Sequence, residues 1–124
     1  MPLVTFDDRN IDSVVDSGSN ENGNWIKFSD GTMICWHALT VTDQAINTSY
    51  TSGHYTGNRT LTFPQEFIDV PVPLLSKFRW GTGASWVPFA NCTETTIQIY
   101  AMDTVSRASG TSTYISYAVI GKWK

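Results

Sequence analysis

Two tryptophans that flank a glycine-rich loop are the first residues whose types and spacing suggest binding chemistry. Trp80 and Trp86 bracket the loop Gly81–Ser85. An indole face can pack against the apolar face of a sugar ring, and loops on a rigid scaffold often carry binding groups. The alternative is that one or both indoles close the end of the core. The pair is therefore a candidate glycan-binding platform with a structural alternative.

A long polar stretch supplies a second group of candidates. Thr42–Asn58 is rich in Thr, Ser, Asn and Gly and contains His54 next to Tyr55. It is either a long loop or a weak edge strand with loops, and loops of this length are usually functional or disordered. An exposed histidine beside a tyrosine suits recognition of a glycan, although a surface histidine without a role is the commoner case. Asn58 is a further hydroxyl-binding candidate.

Two arginines near predicted loops add charge chemistry. Arg59 and Arg107 could each hold the carboxylate of an acidic sugar through two hydrogen bonds. Either could instead form a salt bridge between subunits. Asp103, close to Arg107 in the chain, is a plausible partner for a sugar hydroxyl.

Catalytic and metal-binding patterns are poorly supported. The chain has no Gly-x-Ser-x-Gly nucleophile motif. Paired carboxylates can cleave glycosides, but nothing in the sequence places Glu66, Asp69 and Glu94 together. The four histidines and cysteines lack a recognised metal-ligand spacing; they are His37, His54, Cys35 and Cys92. We therefore expect neither an enzyme nor a metal or other cofactor, and we expect both cysteines to be free thiols.

The elements that must position these side chains are predicted to be strands. Asp30-Gly31 separates two apolar runs and predicts a hairpin. Thr95–Met102 alternates, with Ile97, Ile99 and Ala101 on one face. In all, the chain contains about six or seven short predicted strands with turn signals at fairly regular spacing, and no stretch has a convincing helical period. These features predict an all-β, antiparallel sandwich.

The strand after the Asp30-Gly31 turn is unusual because both of its faces are apolar. Met33, Cys35, His37 and Leu39 alternate with Ile34, Trp36 and Ala38. A sandwich strand normally has one solvent-facing side. We therefore expect a second copy of the chain to cover one face, with Ile34, Trp36 and His37 as interface candidates. His37 could equally be an interior residue.

Length and charge limit the domain organisation and the partners. The 124 residues suffice for one domain. Residues 1–30 carry a net charge of −4 and residues 31–124 a net charge of +1. We predict an acidic tether over 1–21 and a sandwich domain over 22–124. No Lys/Arg run suggests nucleic-acid binding, and the sequence predicts no signal peptide and no membrane insertion.

Three blocks resemble a C-terminal domain of tailed-phage and prophage tail fibres. SGSNENGNWIKFSDGTMICW at Ser17–Trp36 is similar to the opening of that domain, and LTFPQEFIDVPVPL at Leu61–Leu74 to its Phe-Pro-x-x-Phe segment. YISYAVIGKWK at Tyr114–Lys124 resembles its aromatic-Ile-Gly-Arg-Trp ending, with Lys122 at the arginine position. The stretches Thr42–Asn58 and Gly81–Ser112 match only in length and texture.

This resemblance implies a fold, an assembly and a role. The implied structure is an H-type-lectin-like sandwich that forms a homotrimer at the fibre tip. The implied function is binding of a bacterial surface glycan during host adsorption, on a virion or a phage-like bacteriocin tail made in the bacterial cytoplasm. A trimerising cap without binding activity is the alternative. Binding specificity would lie in the poorly matching loops, which are Thr42–Asn58, Gly81–Ser85 and Asp103–Ser112.

Overall fold

The chain is all-β throughout the part that the structure describes. The structure is a computed structural model, and it describes residues 13–51, 53–56, 59–80, 89–110 and 113–124. Within these ranges the antiparallel strands form a five-stranded sheet and two three-stranded sheets. The strands are β1 Val14–Asn20, β2 Gly23–Phe28, β3 Thr32–Val41, β4 Thr48–Tyr50, β5 Gly53–Tyr55, β6 Arg59–Thr62, β7 Val72–Trp80, β8 Phe89–Cys92, β9 Thr96–Ile99, β10 Met102–Asp103 and β11 Thr113–Lys122.

The five-stranded sheet is built around the predicted hairpin. Its order is β1-β2-β3-β11-β7. Gly31 has φ +97°, a conformation that glycine adopts without steric cost. The Asp30 carboxylate accepts a hydrogen bond from the Thr32 amide at 2.8 Å. The hairpin prediction is confirmed, and the turn chemistry explains it.

The alternation predicted for β3 is also confirmed. Met33 and Cys35 are fully buried, whereas Trp36 is 40% exposed and Ala38 is also exposed. Buried positions recur on β11 at Ile115, Tyr117 and Val119. One face of this sheet therefore carries core residues and the other faces outward.

The core lies between this sheet and the sheet of order β6-β9-β8. Ile97 and Ile99 of β9 are fully buried. Phe63 lies 5.6 Å from Tyr117 of the five-stranded sheet and 5.4 Å from Phe67, measured between ring centroids. These contacts make the domain a β-sandwich. Each large apolar side chain that is fully buried contributes about 1.5–3 kcal/mol.

The structure has more strands than the six or seven that we predicted. Two three-residue strands, β4 and β5, lie in Thr42–Asn58, and β10 has two residues. β1 lies inside the predicted tether 1–21, although all seven of its residues are exposed. These strands are short or polar, so they lack the apolar alternation by which strands are recognised.

The strand pairing separates two ends of the domain. The entry end holds the start of β1 opposite Phe28, the Asp30-Gly31 turn and Trp123, whose amide donates to the Gly31 carbonyl at 2.8 Å. The loop end holds Val41, which pairs with Thr113. β3 runs from one end to the other, and its ten residues span roughly 30 Å. Among the described residues no helix could cross a membrane.

Candidate functional site

A small sheet of order β10-β5-β4 lies at the loop end. Ile46 and Arg107 exchange two backbone hydrogen bonds of 2.8 Å, and the Gly110 amide donates to the Thr42 carbonyl at 2.6 Å. These bonds join the polar stretch after β3 to the stretch before β11. Two of the loops in which we predicted binding are therefore neighbours in the fold.

An ion pair lies at the edge strand β10 of this small sheet. Asp103 is 3% exposed, and its Oδ2 accepts a hydrogen bond from Nε of Arg107 at 3.1 Å. Its Oδ1 accepts a bond from the Val105 amide at 3.0 Å. The carboxylate thus closes a turn and neutralises the guanidinium. Asp103 and Arg107, both predicted from sequence, are brought together.

His54 lies on the strand next to this ion pair. It is directly opposite Asp103 on β10 and opposite Ser49 on β4. Directly opposed residues on antiparallel strands have Cβ atoms about 5 Å apart. The Nδ1 atom of His54 is buried and has no hydrogen-bond partner among the described residues. His54 therefore belongs to the same cluster as Asp103 and Arg107.

Two tyrosines form the aromatic part of the loop end. The Tyr55 and Tyr100 rings are 6.1 Å apart at an interplanar angle of 86°. Both residues are half-buried. Tyr100 was not among our predicted site residues, although the alternation of Thr96–Met102 places it opposite the buried Ile97, Ile99 and Ala101. Tyr100 directly follows β9 and lies on the face of that alternation opposite the core residues. This position could have indicated Tyr100 as a site residue.

Arg59 is also paired within the chain. Its Nη1 donates to the Gln44 side-chain oxygen at 3.2 Å and lies 3.7 Å from the Asp43 carboxylate. The side chain of Arg59 is 27% exposed and that of Asp43 is 77% exposed. No sequence pattern had singled out Asp43 or Gln44. They become part of the site because the chain after β3 folds back over β6.

We define the loop-end cluster as the half-buried or charged side chains gathered here: Asp43, Gln44, His54, Tyr55, Arg59, Tyr100, Asp103 and Arg107. Trp80 is the last residue of β7 and pairs with Thr113 at the same end of the sheet. The structure does not describe the side chain of Trp80, and it does not describe Trp86 or Asn58. The binding roles of these three residues therefore stay predictions.

The outward face of the five-stranded sheet is largely apolar. Ile34, Trp36, Ala38, Ser116 and Ala118 border a depression of about 450 Å³. Ile120 pairs with Ile34 on one side and with Val72, which is 62% exposed, on the other. We call this surface, with Ile26, the outer face. Ile34 and Trp36 therefore lie where an interface between subunits would need them.

His37 also borders this depression, but the alternation of β3 places its side chain on the inward side. Its ring makes an edge contact with the Tyr117 ring at 6.4 Å between centroids. A Cβ on Gly23 would lie 2.8 Å from the His37 Cβ, so the two residues pack closely. His37 shares the inward side of β3 with Met33 and Cys35, whereas Trp36 lies on the outward side. This position agrees with the alternative that His37 is an interior residue.

A polar depression of about 490 Å³ lies at the entry end. Glu66, Glu94, Thr95 and Trp123 border it. The Phe67 amide donates to the Glu94 carbonyl at 3.0 Å, and this bond joins the two turns that carry the glutamates. We had found nothing in the sequence to place Glu66 near Glu94. The structure brings them to one depression, because the segment after β6 packs on the turn between β8 and β9.

Both cysteines are free, buried thiols. Burial raises the pKa of Cys35 to about 12 and the pKa of Cys92 to about 11. Thiolate is the reactive form of cysteine, so neither residue is suited to nucleophilic chemistry at neutral pH. Among the described residues no group of three His, Cys, Asp or Glu side chains is arranged for a metal ion.

Comparison with known proteins identifies the fold. No protein-family model matches the chain, and no curated protein sequence does. Solved structures of tail fibres share the architecture. The structure of an N-truncated R1-type pyocin tail fibre is similar over 88% of both chains, with a TM-score of 0.57 and 18% sequence identity. The sandwich therefore shares its fold with this solved tail-fibre structure.

Two longer fibre structures from P. aeruginosa agree. The C-terminal part of the R1 pyocin fibre gives a TM-score of 0.58 at 21% identity, and that of the R2 pyocin fibre gives 0.50 at 16%. The matches cover 88% and 89% of this chain, but 29% and 27% of those fibre chains. The resemblance seen in three sequence blocks is confirmed at the level of the fold.

Proposed function

We propose that this chain is the tip domain of a phage or phage-like tail fibre and that it binds a bacterial surface glycan without cleaving it. The observation that carries this proposal is the position of the loop-end cluster. The chain enters the sheet at the entry end, and the cluster lies at the opposite end, roughly 30 Å away along β3. A shaft joined at the entry end would point the cluster towards the host surface.

The chemistry of the cluster suits a saccharide. Sugar hydroxyls both donate and accept hydrogen bonds, and the cluster pairs carboxylates with guanidinium groups. Tyr55 and Tyr100 add aromatic surface for the apolar side of a sugar ring. The tail-fibre fold supports the same assignment. The predicted platform of Trp80 and Trp86 would extend the site, since β7 ends at the same end of the sheet.

The outer face supports a homotrimer. Trp36 and Val72 are 40% and 62% exposed in one chain. Each large apolar side chain that a neighbouring copy buried would contribute about 1.5–3 kcal/mol. Three copies would also present three weak sites together, and linked binding raises apparent affinity without new contacts. The virion tip is the corresponding location.

A non-binding trimerisation cap is the second candidate. The exposed outer face favours it, because such a face serves assembly whether or not the domain binds sugar. Competition for adsorption separates the two candidates. Added domain should reduce adsorption of the parent particle to host cells if the domain is the receptor-binding tip. A cap would neither bind the cells nor reduce adsorption.

The same assay tests the residues of the site. Alanine at His54, Tyr55, Trp80, Trp86 and Arg107, one at a time, should weaken competition where the side chain contacts the glycan. Glu21→Ala, on the exposed turn between β1 and β2, is the control. Unchanged competition by all five folded variants would contradict the site assignment.

Absence of catalysis is part of the proposal. The depression between Glu66 and Glu94 is where glycoside cleavage would be sought, because that reaction uses two carboxylates. Prolonged incubation of host polysaccharide with the domain should release no new reducing ends. Release that Glu66→Gln abolishes would make the protein a glycosidase.

A further inference from the structure

We infer that the saccharide bound at the loop-end cluster is uncharged, and that anionic sugars are disfavoured there. This inference rests on the proposed function and specifies its ligand. Its basis is that the two arginines of the loop-end cluster each already face a carboxylate of the same chain. Arg59 is paired with Asp43, and Arg107 is paired with Asp103.

The inner pair makes an anionic ligand costly. The Asp103 side chain is 4% exposed, and its carboxylate is held by Nε of Arg107 and by the Val105 amide. If Arg107 turned towards a sugar carboxylate, it would leave a buried negative charge without its partner. Breaking one side of a buried ion pair is strongly unfavourable. Arg107 is thus committed to Asp103.

The outer pair gives the complementary argument. The Asp43 carboxylate is 77% exposed and lies 3.7 Å from Nη1 of Arg59. An approaching anion would meet that carboxylate and be repelled by it. A hydroxyl group can instead donate to the carboxylate and accept from a guanidinium, since it has one donor and two lone pairs. The backbone of Arg107 pairs with that of Ile46, and Asp43 precedes Ile46 by three residues, so we expect one ligand to meet both ion pairs.

The first test is binding of the full chain to an array of purified bacterial polysaccharides, divided into uncharged ones and ones bearing uronic acid or phosphate. We expect signals about tenfold higher on uncharged members, with little change between low and high salt. Binding mainly to acidic members, with strong salt dependence, would overturn the inference and leave the proposed function standing. If the chain bound no polysaccharide on the array and did not reduce adsorption of the parent particle, both the proposed function and this inference would be contradicted.

A gain-of-binding variant tests the mechanism directly. Asp43→Asn removes the exposed carboxylate and leaves the Arg59 guanidinium available to an anion. We expect affinity for acidic oligosaccharides to rise about tenfold, as a hydrogen bond between charged groups would provide. Glu94→Gln at the entry end is the matched control, because it makes the same change in net charge at an exposed position. Equal gains in the two variants would show an effect of overall charge and would contradict the inference.

Discussion

At the scale of single residues, two turn glycines allow the cost of backbone strain to be measured separately from the cost of a steric clash. Gly31 and Gly110 have φ values of +97° and +100°. A Cβ on Gly31 would lie 2.9 Å from the Lys124 carbonyl oxygen, whereas nothing lies within 4 Å of a Cβ on Gly110. The two positions share the conformational cost and differ in the space around them.

We therefore predict unequal effects of alanine. Gly110→Ala should lower the free energy of unfolding by about 1 kcal/mol, which is the cost of a left-handed conformation for a residue with a Cβ. Gly31→Ala should cost about 2 kcal/mol or more, because the carbonyl of Lys124 must also move. Urea unfolding at one fixed protein concentration measures both. Equal losses would mean that the C-terminal segment does not pack on the turn as described.

The buried thiols predict a loss of stability at high pH. Burial raises the pKa of Cys35 to about 12 and that of Cys92 to about 11, from 9.0 in a model thiol. The unfolded chain therefore loses these protons at a lower pH than the folded chain. The contribution of each thiol to stability is complete below pH 9 and declines as the pH rises towards 11 or 12. The free energy of unfolding, measured at pH 7.5, 9 and 10.5, should fall more steeply with rising pH in the wild type than in Cys35→Ala. Parallel dependence of the two free energies on pH would contradict this prediction.

At the scale of elements, β1 is held by side-chain contacts rather than by burial. A Cβ on Gly18 would lie 2.7 Å from the Trp25 ring on the paired strand, so the glycine lets the ring cover β1. The Trp25 Nε1 donates to the Asp16 carboxylate at 3.0 Å, and Asp16 lies 3.5 Å from Nζ of Lys27. These contacts fix an exposed edge strand onto the sheet.

Gly18→Val should loosen β1 without unfolding the domain, because its side chain would displace the Trp25 ring. We expect backbone amides in Val14–Asn20 to exchange with deuterium at least tenfold faster, while amides of β3 and β11 keep their protection. Ser17→Val is the control, since Ser17 is opposite Ile26 and not Trp25. Faster exchange in the control alone would contradict the proposed role of the ring.

Some strands and turns of this fold could be predicted from local sequence patterns, and others could not. The hairpin and the two faces of β3 were predictable, because an Asp-Gly turn and strict alternation are local signals. The segment that holds β4 and β5 was predicted as a long loop or a weak edge strand with loops, and β10 was not predicted, since these strands are two or three residues long and polar. Residue type made His54, Tyr55 and Arg107 candidates, and their binding roles stay predictions. Their contacts could not be predicted, because Asp103 faces His54 and Asp43 faces Arg59 through contacts between segments that no local pattern encodes.

At the scale of the whole molecule, the outer face makes assembly the main prediction. The wild-type domain should have a mass three times the 13.8 kDa of one chain by light scattering at micromolar concentration. Trp36→Glu should give a monomer, because it places a charge in the centre of the outer face. Val105→Glu changes an apolar residue elsewhere that is 52% exposed, against 40% for Trp36, and this variant should stay trimeric. A monomeric wild type would contradict the trimer.

The central claim is that the end of the sandwich opposite the chain entry recognises the host. The most direct measurement is an NMR titration of the ¹⁵N-labelled domain with a host oligosaccharide that blocks adsorption. We predict that amide shifts concentrate at Tyr55, Tyr100 and Asp103, and that the indole signal of Trp123 at the entry end does not move. Shifts confined to the entry end, around Trp123 and Glu94, would contradict the account.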